Sequence, residues 1–216
     1  MPAMNVFQFM WAQRAEIFQL SVEHVFLVIG AIAIAIFTGV PVGILMTRRP
    51  RLGKPILMFA NIIQTIPSLA LFGFLIPIPF IGGIGVRTAV IVLFLYSLLP
   101  IVRNTYTGIL GVDPAVREAA KGMGMTDSQI LWKVELPLSL GVIFAGIRVA
   151  TVIAVGVATI AAAIGAGGLG MFIFRGTSML DYRVILAGAI PAALIALAAD
   201  FGLSLVEKSF SRNRQS

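Results

Sequence analysis

Val22-Glu-His-Val-Phe-Leu-Val-Ile-Gly-Ala-Ile-Ala-Ile-Ala-Ile-Phe-Thr-Gly-Val-Pro-Val-Gly-Ile-Leu-Met46 is longer than the ~18 apolar residues that identify a membrane span. A run of this length has no water-soluble core to enter in a chain this small, so its reading decides the fold. Four further stretches meet the same length criterion: Pro55 to Ile78, Val86 to Tyr106, Leu138 to Ile164 and Val184 to Val206. The expected architecture is therefore an all-α polytopic membrane protein with about five transmembrane helices. One membrane domain over 22–206 lies between an N-terminal segment, 1–21, and a basic tail, 207–216.

Composition supports this. Of 216 residues, 59% are hydrophobic and 12% charged, against about 25% charged in soluble domains. The net charge of +7 is a matter of topology. Arg48, Arg49, Arg51, Lys54, Arg103, Arg117, Lys121, Lys133, Lys208, Arg212 and Arg214 share one face of a five-span arrangement, whereas Arg14, Arg87, Arg175 and Arg183 fall on the other. The positive-inside rule then puts the N-terminus outside and the C-terminus in the cytoplasm. Nucleic acid is not an expected partner, because the basic residues are accounted for. No cleavable signal peptide is expected, and the first span is read as its own insertion signal.

Within the spans, Gly39 and Gly43 form a small-xxx-small pair, and the fourth span is rich in Gly and Ala from Ala145 to Ala163, which permits close helix approach in lipid. Pro41, Pro67, Pro100 and Pro191 are expected to bend or interrupt their helices. The single His24 reads as an interfacial residue rather than a ligand, since a metal site needs several convergent donors. There is no cysteine, and no metal site, cofactor or catalytic constellation is expected.

The loop expected over about 111–137 carries the densest local signals: Asp113-Pro-Ala-Val-Arg-Glu118-Ala-Ala-Lys-Gly-Met-Gly124-Met-Thr126-Asp-Ser-Gln129-Ile-Leu-Trp-Lys-Val-Glu-Leu-Pro137. Asp113 can cap a helix whose first residue is Pro114, where a missing N–H costs nothing. Gly122 and Gly124 allow a reversal, and Thr126 with Gln129 has the spacing of a capping box. Ile130, Leu131 and Val134 follow at helical spacing, so the segment reads as a helix-turn-helix knuckle. It is either a docking surface for another protein or a loop packed on its own bundle.

Glu118-Ala119-Ala120, Gly124, Val134 and Leu136-Pro137 resemble the EAA signature of binding-protein-dependent ABC importer permeases, with Val134 where the family commonly has Ile. The resemblance implies a coupling helix held in a groove of a cytoplasmic ABC ATPase dimer. Glu118 would fix the knuckle, Gly124 would make the turn, and Ala119 and Ala120 would lie against the ATPase; with Leu136 and Pro137 these make up the expected ATPase-docking residues. It also implies a second permease subunit, identical or homologous, and an extracytoplasmic solute-binding protein, all in the cytoplasmic or inner membrane of a bacterium or archaeon. The chain holds no G-x-x-x-x-G-K-[ST] loop, so ATP chemistry is expected on a partner and this chain is not expected to be an enzyme.

Asn61-Ile-Ile-Gln-Thr-Ile-Pro-Ser-Leu-Ala-Leu-Phe72, Tyr96 to Thr105, Gly146-Ile-Arg148 and Ala158 to Ala162 are similar to permeases for glycine betaine, choline and related osmoprotectants. Importers of methionine and other amino acids share the general plan and stand as the alternative. A non-coupled channel or scaffold, which would not need the knuckle, is a further one. Asn61, Gln64, Thr65 and Ser68 are expected along one helical face. They either line a translocation path or hold helices together by hydrogen bonds. Arg148 and Asp200, both inside spans, are expected to pair or share a wet cavity, or else each reaches the interface separately. Gly165-Ala-Gly-Gly-Leu-Gly170 satisfies G-x-G-x-x-G, but no strand precedes it, so it reads as a tight turn leading to an outer segment that could meet a binding protein.

Overall fold

In the computed structural model, which describes residues 5–212, the first apolar run is the middle of a much longer helix. Arg14–Arg48 (α2) is continuous over 35 residues, about 52 Å at 1.5 Å per residue. It exceeds the ~30 Å hydrocarbon layer, and the boundary expected at 21/22 lies inside it. A short helix, Val6–Ala12 (α1), precedes it, started by a reciprocal capping box between Asn5 and Gln8. The chain continues through Pro50–Thr65 (α3), Ser68–Leu75 (α4), Val86–Leu110 (α5), Pro114–Gly122 (α6), Asp127–Ile130 (α7), Leu136–Ala161 (α8), Gly170–Met179 (α9) and Tyr182–Arg212 (α10). Residues 1–4 of the expected N-terminal segment and 213–216 of the tail, with Arg214, lie outside the described residues, as does the side chain of Arg212.

Four of the five expected spans are single helices long and apolar enough to cross a membrane. The second, expected over Pro55 to Ile78, is a bent pair: α3 and α4 meet at 101°. Pro67 makes the break. It caps α4 in an extended conformation, and Ile66 before it is also extended, because a proline ring disfavours helical backbone in the residue it follows. Pro41, Pro100 and Pro191, expected to bend or interrupt their helices, sit inside helices that run on without a break. A proline inside a membrane helix frees one carbonyl, and the helix survives where a neighbour supplies the missing donor.

α5 packs along α2 and α8, and α10 along α8 and α9. The centre is built from small residues interleaved with larger ones: Ala31, Ala35, Ala89, Ala150, Ala154 and Ala158 beside Phe72, Leu93 and Ile101, all fully buried. Close approach is set by glycine. A Cβ on Gly43 would lie 2.6 Å from Thr105 Cβ on α5, and one on Gly146 would lie 2.6 Å from Asn104 Cβ and 2.7 Å from the Pro100 carbonyl. Lipid tails offer no hydrophobic drive for helix pairing, so this close van der Waals contact does the holding. Phe26, Phe37, Leu197 and Phe201 stay exposed on the perimeter, where hydrocarbon rather than water is the solvent.

His24 is not interfacial. It is fully buried, with Nε2 3.2 Å from the Val155 carbonyl of α8. Beside it the chain turns through Gly165, Gly167 and Gly168, all with positive φ. The N–H of Gly168 donates to Glu23 Oε2 at 3.2 Å, and a Cβ would lie 2.6 Å from Glu23 Oε2 at 167 and 3.2 Å from His24 Nδ1 at 168. The glycine run is thus a turn whose own backbone lies against Glu23 and His24 of α2.

Candidate functional site

The knuckle forms as its caps dictate. Asp113 accepts from the Ala115 N–H at 2.9 Å and starts α6 with Pro114 in its first turn. At the other end the Gly124 N–H bonds the Lys121 carbonyl and the Met125 N–H bonds the Ala120 carbonyl, the paired bonds of a Schellman ending. That ending requires a left-handed residue, and Gly124 supplies it at φ +79°; Gly122 stays helical. Thr126 and Gln129 then cap α7 reciprocally. From Leu131 to Glu135 the backbone widens into a π turn, closed by the Leu136 N–H on the Leu131 carbonyl. The widening gives the Pro137 ring room against the preceding turn, which an α-helix would not.

Glu118, Ala119 and Gly124 lie on the exposed side of the knuckle. Ala120, expected from the resemblance to lie against the ATPase, is at 2% exposure covered by its own chain. The reason is helical phase, since Ala120 and Ile130 both turn inward. Leu136 is half-buried and Pro137 exposed. Sequence reasoning missed Met123 and Trp132, which are 75% and 66% exposed on the same knuckle. Two large apolar side chains held out on a polar turn were the available signal.

Glu135 was also missed. Its side chain is 3% exposed and meets two guanidinium groups. Arg117 of α6 brings Nε to 2.9 Å from Oε1, and Arg48, in the last turn of α2, bonds Oε2. Arg117 also donates to the Ile109 carbonyl near the end of α5. Glu118, which the resemblance casts as the residue that fixes the knuckle, is exposed, and the buried anchoring carboxylate is Glu135. A lone carboxylate two residues ahead of a proline in an apolar run was the legible hint.

The polar stripe is divided. Asn61, Gln64 and Thr65 belong to α3, but Ser68 is the first residue of α4, past the bend, so the four do not share one face. Gln64 Nε2 donates to the Tyr96 carbonyl at 3.1 Å. That carbonyl is the one left without a helical donor by Pro100, four residues on. In return the Tyr96 hydroxyl donates to the Ile66 carbonyl at the break. Gln64 and Tyr96 therefore hold the broken helix to α5. Asn61 Oδ1 accepts from Arg103 Nη2 at 3.1 Å, and the Thr65 hydroxyl donates within its own helix to Ile62.

Arg148 Nε is 3.2 Å from Asp200 Oδ1, and its Nη1 is 2.8 Å from Glu207 Oε2, a second acceptor not anticipated. The three residues tie α8 to α10. At the opposite end from the knuckle, Arg175 of α9 pairs with Glu16 at 2.9 Å. There too, a hydrogen bond from Arg183 holds the Asp181 carboxyl at about 2. Among the described residues no group of three or more His, Cys, Asp or Glu converges as a metal site.

Residues 39–212 match the family model described as "binding-protein-dependent transport system inner membrane component". The chain is 47% identical over 200 residues to the osmoprotectant import permease protein OsmW of Salmonella typhimurium, covering 92% of this chain and 93% of that one. It is 51% identical over 178 residues to the carnitine transport permease protein OpuCD of Listeria monocytogenes, covering 82% and 78%. It is 40% identical over 207 residues to the choline transport system permease protein OpuBB of Bacillus subtilis, covering 96% and 94%. Among solved structures, an inward-facing form of the MetNI methionine ABC transporter superposes with a TM-score of 0.80 at 23% identity, covering 94% of this chain and 97% of that one. That likeness establishes the fold and no more.

Proposed function

This chain belongs to the family of binding-protein-dependent transport system inner membrane components, and from that membership we propose that it is the permease subunit of an ABC importer for a quaternary-ammonium osmoprotectant such as glycine betaine, choline or carnitine. The family's members are not themselves catalytic. The free energy comes from a separate cytoplasmic ABC ATPase dimer, and an extracytoplasmic solute-binding protein delivers the solute. Two permease subunits, identical or homologous, enclose the path. The N-terminus is outside and the knuckle faces the cytoplasm, where Glu118, Ala119, Gly124, Met123 and Trp132 form its ATPase-docking face.

The observation that carries this reading is the knuckle itself: a stiffly capped helical turn that exposes apolar side chains which a soluble surface or a plain channel would have no reason to display. Osmoprotectant as the solute is supported by the names of relatives at 40–51% identity. Methionine is supported only by a likeness of fold. Of the stripe residues, Asn61 with its partner Arg103, and Ser68, are the candidates for the path, Gln64 being committed to Tyr96.

The test is reconstitution in liposomes with the cognate ATPase and binding protein, followed by uptake of glycine betaine, choline, carnitine and methionine. ATP-dependent uptake of the first three, abolished by Gly124→Trp, is expected. Preference for methionine refutes the solute assignment. Uptake that proceeds without ATP refutes the importer reading in favour of a channel.

A further inference from the structure

The carboxylate of Glu135 stands where four elements meet. Its backbone is the last residue of the π turn and the one that precedes α8, so it belongs at once to the knuckle and to a long membrane helix. One oxygen faces Arg117 of α6 and the other Arg48 of α2, while Arg117 reaches on to the Ile109 carbonyl of α5. The residue is 2% exposed. An ion pair at such burial persists only when both partners stay in place, because removing one leaves an uncompensated charge in a medium that cannot solvate it. The charge-assisted bond from Arg48 to Oε2 fixes direction as well as distance, and the Arg117 guanidinium holds Oε1 by charge as an ion pair.

We propose that Glu135 is a positioning residue that yokes the knuckle to the first long helix, so that a displacement imposed on α6 and α7 is delivered to α2 through Arg48. The inference rests on the importer reading above and adds the route by which the knuckle's motion enters the bundle. By covalent connection alone the knuckle could move only α5 and α8, its neighbours in the chain. α2 has no covalent link to the knuckle, and the Arg48–Glu135 bond is a polar tie that spans the gap. A cavity of about 150 Å³, lined by Thr47, Lys121 and Asp127 as well as the three charged groups, lies beside the carboxylate. It gives the two guanidinium groups space to travel with Glu135 instead of tearing from it. Arg48 is the last residue of α2, where a cation is favoured by the helix dipole, so pulling on Arg48 pulls on the helix itself.

The chain contains no cysteine, so Leu45→Cys on α2 and Val116→Cys on α6, 42% and 40% exposed and both outside the docking face, place one spin label on each side of the yoke within a subunit. Pulsed electron–electron distances between them are measured in the ATPase-bound complex in nanodiscs, for the parent, Glu135→Gln and Arg48→Met. The same complexes are assayed for ATPase co-purification and for betaine taken up per ATP hydrolysed. The yoke predicts a narrow distance distribution in the parent that broadens in both variants. It also predicts retained ATPase association and a loss of about fivefold in uptake per ATP. Unchanged distances overturn it, as does broadening with unchanged uptake per ATP, or a loss of uptake that only follows lost ATPase association. If Glu135→Gln does not fold, Arg48→Met decides, since its guanidinium is 39% exposed and its loss still leaves Arg117 paired with Glu135. A parent complex that carries none of betaine, choline, carnitine and methionine in an ATP-dependent way refutes the importer reading, and the distance measurement still decides the yoke.

Discussion

Replacing Gln64 by Leu removes the donor that satisfies the Tyr96 carbonyl, and the structure says what that costs. Pro100 has no N–H, so the Tyr96 carbonyl depends on the amide at 3.1 Å, at a residue only 8% exposed. Interhelical side-chain bonds in lipid are worth about 0.6 kcal/mol on average and up to about 1.7, and a buried acceptor left unpaired costs about 1–3. The expectation for Gln64→Leu is therefore a loss of about 1.4 kcal/mol, a tenfold shift in the unfolding equilibrium. Pro100→Ala supplies the decisive control. An alanine at that position has a backbone N–H to present to the Tyr96 carbonyl, so in that background Gln64→Leu should cost less than about 0.5 kcal/mol, leaving a coupling of about 1 kcal/mol in the cycle. Equilibrium unfolding in mixed detergent–SDS micelles, followed by circular dichroism, measures all four proteins. Equal losses in the two backgrounds would refute the latch, and would return Gln64 to the path-lining role that its position on the polar face also allows.

Gly146→Val forces side-chain atoms into Asn104 and the Pro100 carbonyl, so it is expected to destabilise by about 3 kcal/mol and to leave little folded protein in detergent. Gly156→Ala meets nothing within 4 Å and should be neutral or stabilise by up to about 1 kcal/mol in the same unfolding assay. Gly124→Ala places a side chain at φ +79°, costing about 1–2 kcal/mol locally; ATP-dependent uptake should fall while purified yield is kept. Asp181 is ionised more readily in the fold than when free, its carboxyl at about 2 against 3.8. Its contribution to stability is thus complete above about pH 4 and lost as the pH falls through 2. Melting curves from pH 5 to 2 should show that dependence weakened in Asp181→Asn.

The sequence by itself determined what neighbours within a few residues decide. Apolar run length identified the spans, because the hydrocarbon layer fixes how many residues must cross it. Asp113, Gly124, Thr126 and Gln129 specified the knuckle, because caps and left-handed turns are closed by bonds of short range. Pro67 marked a break for the same reason. Only the tertiary structure decided which polar groups are spoken for. Gln64 meets a carbonyl 32 residues away and Arg48 a carboxylate 87 residues away. Periodicity places such groups on a face but cannot name the partner across the gap. Thus α5 runs on through Pro100, where a bend or an interruption was expected, because α3 brings the Tyr96 carbonyl a donor. Ala120 is hidden where a docking surface was expected, because the later turns of the knuckle fold against α6. Glu135 passes from an unremarked letter before Leu136-Pro137 to the carboxylate where four elements join.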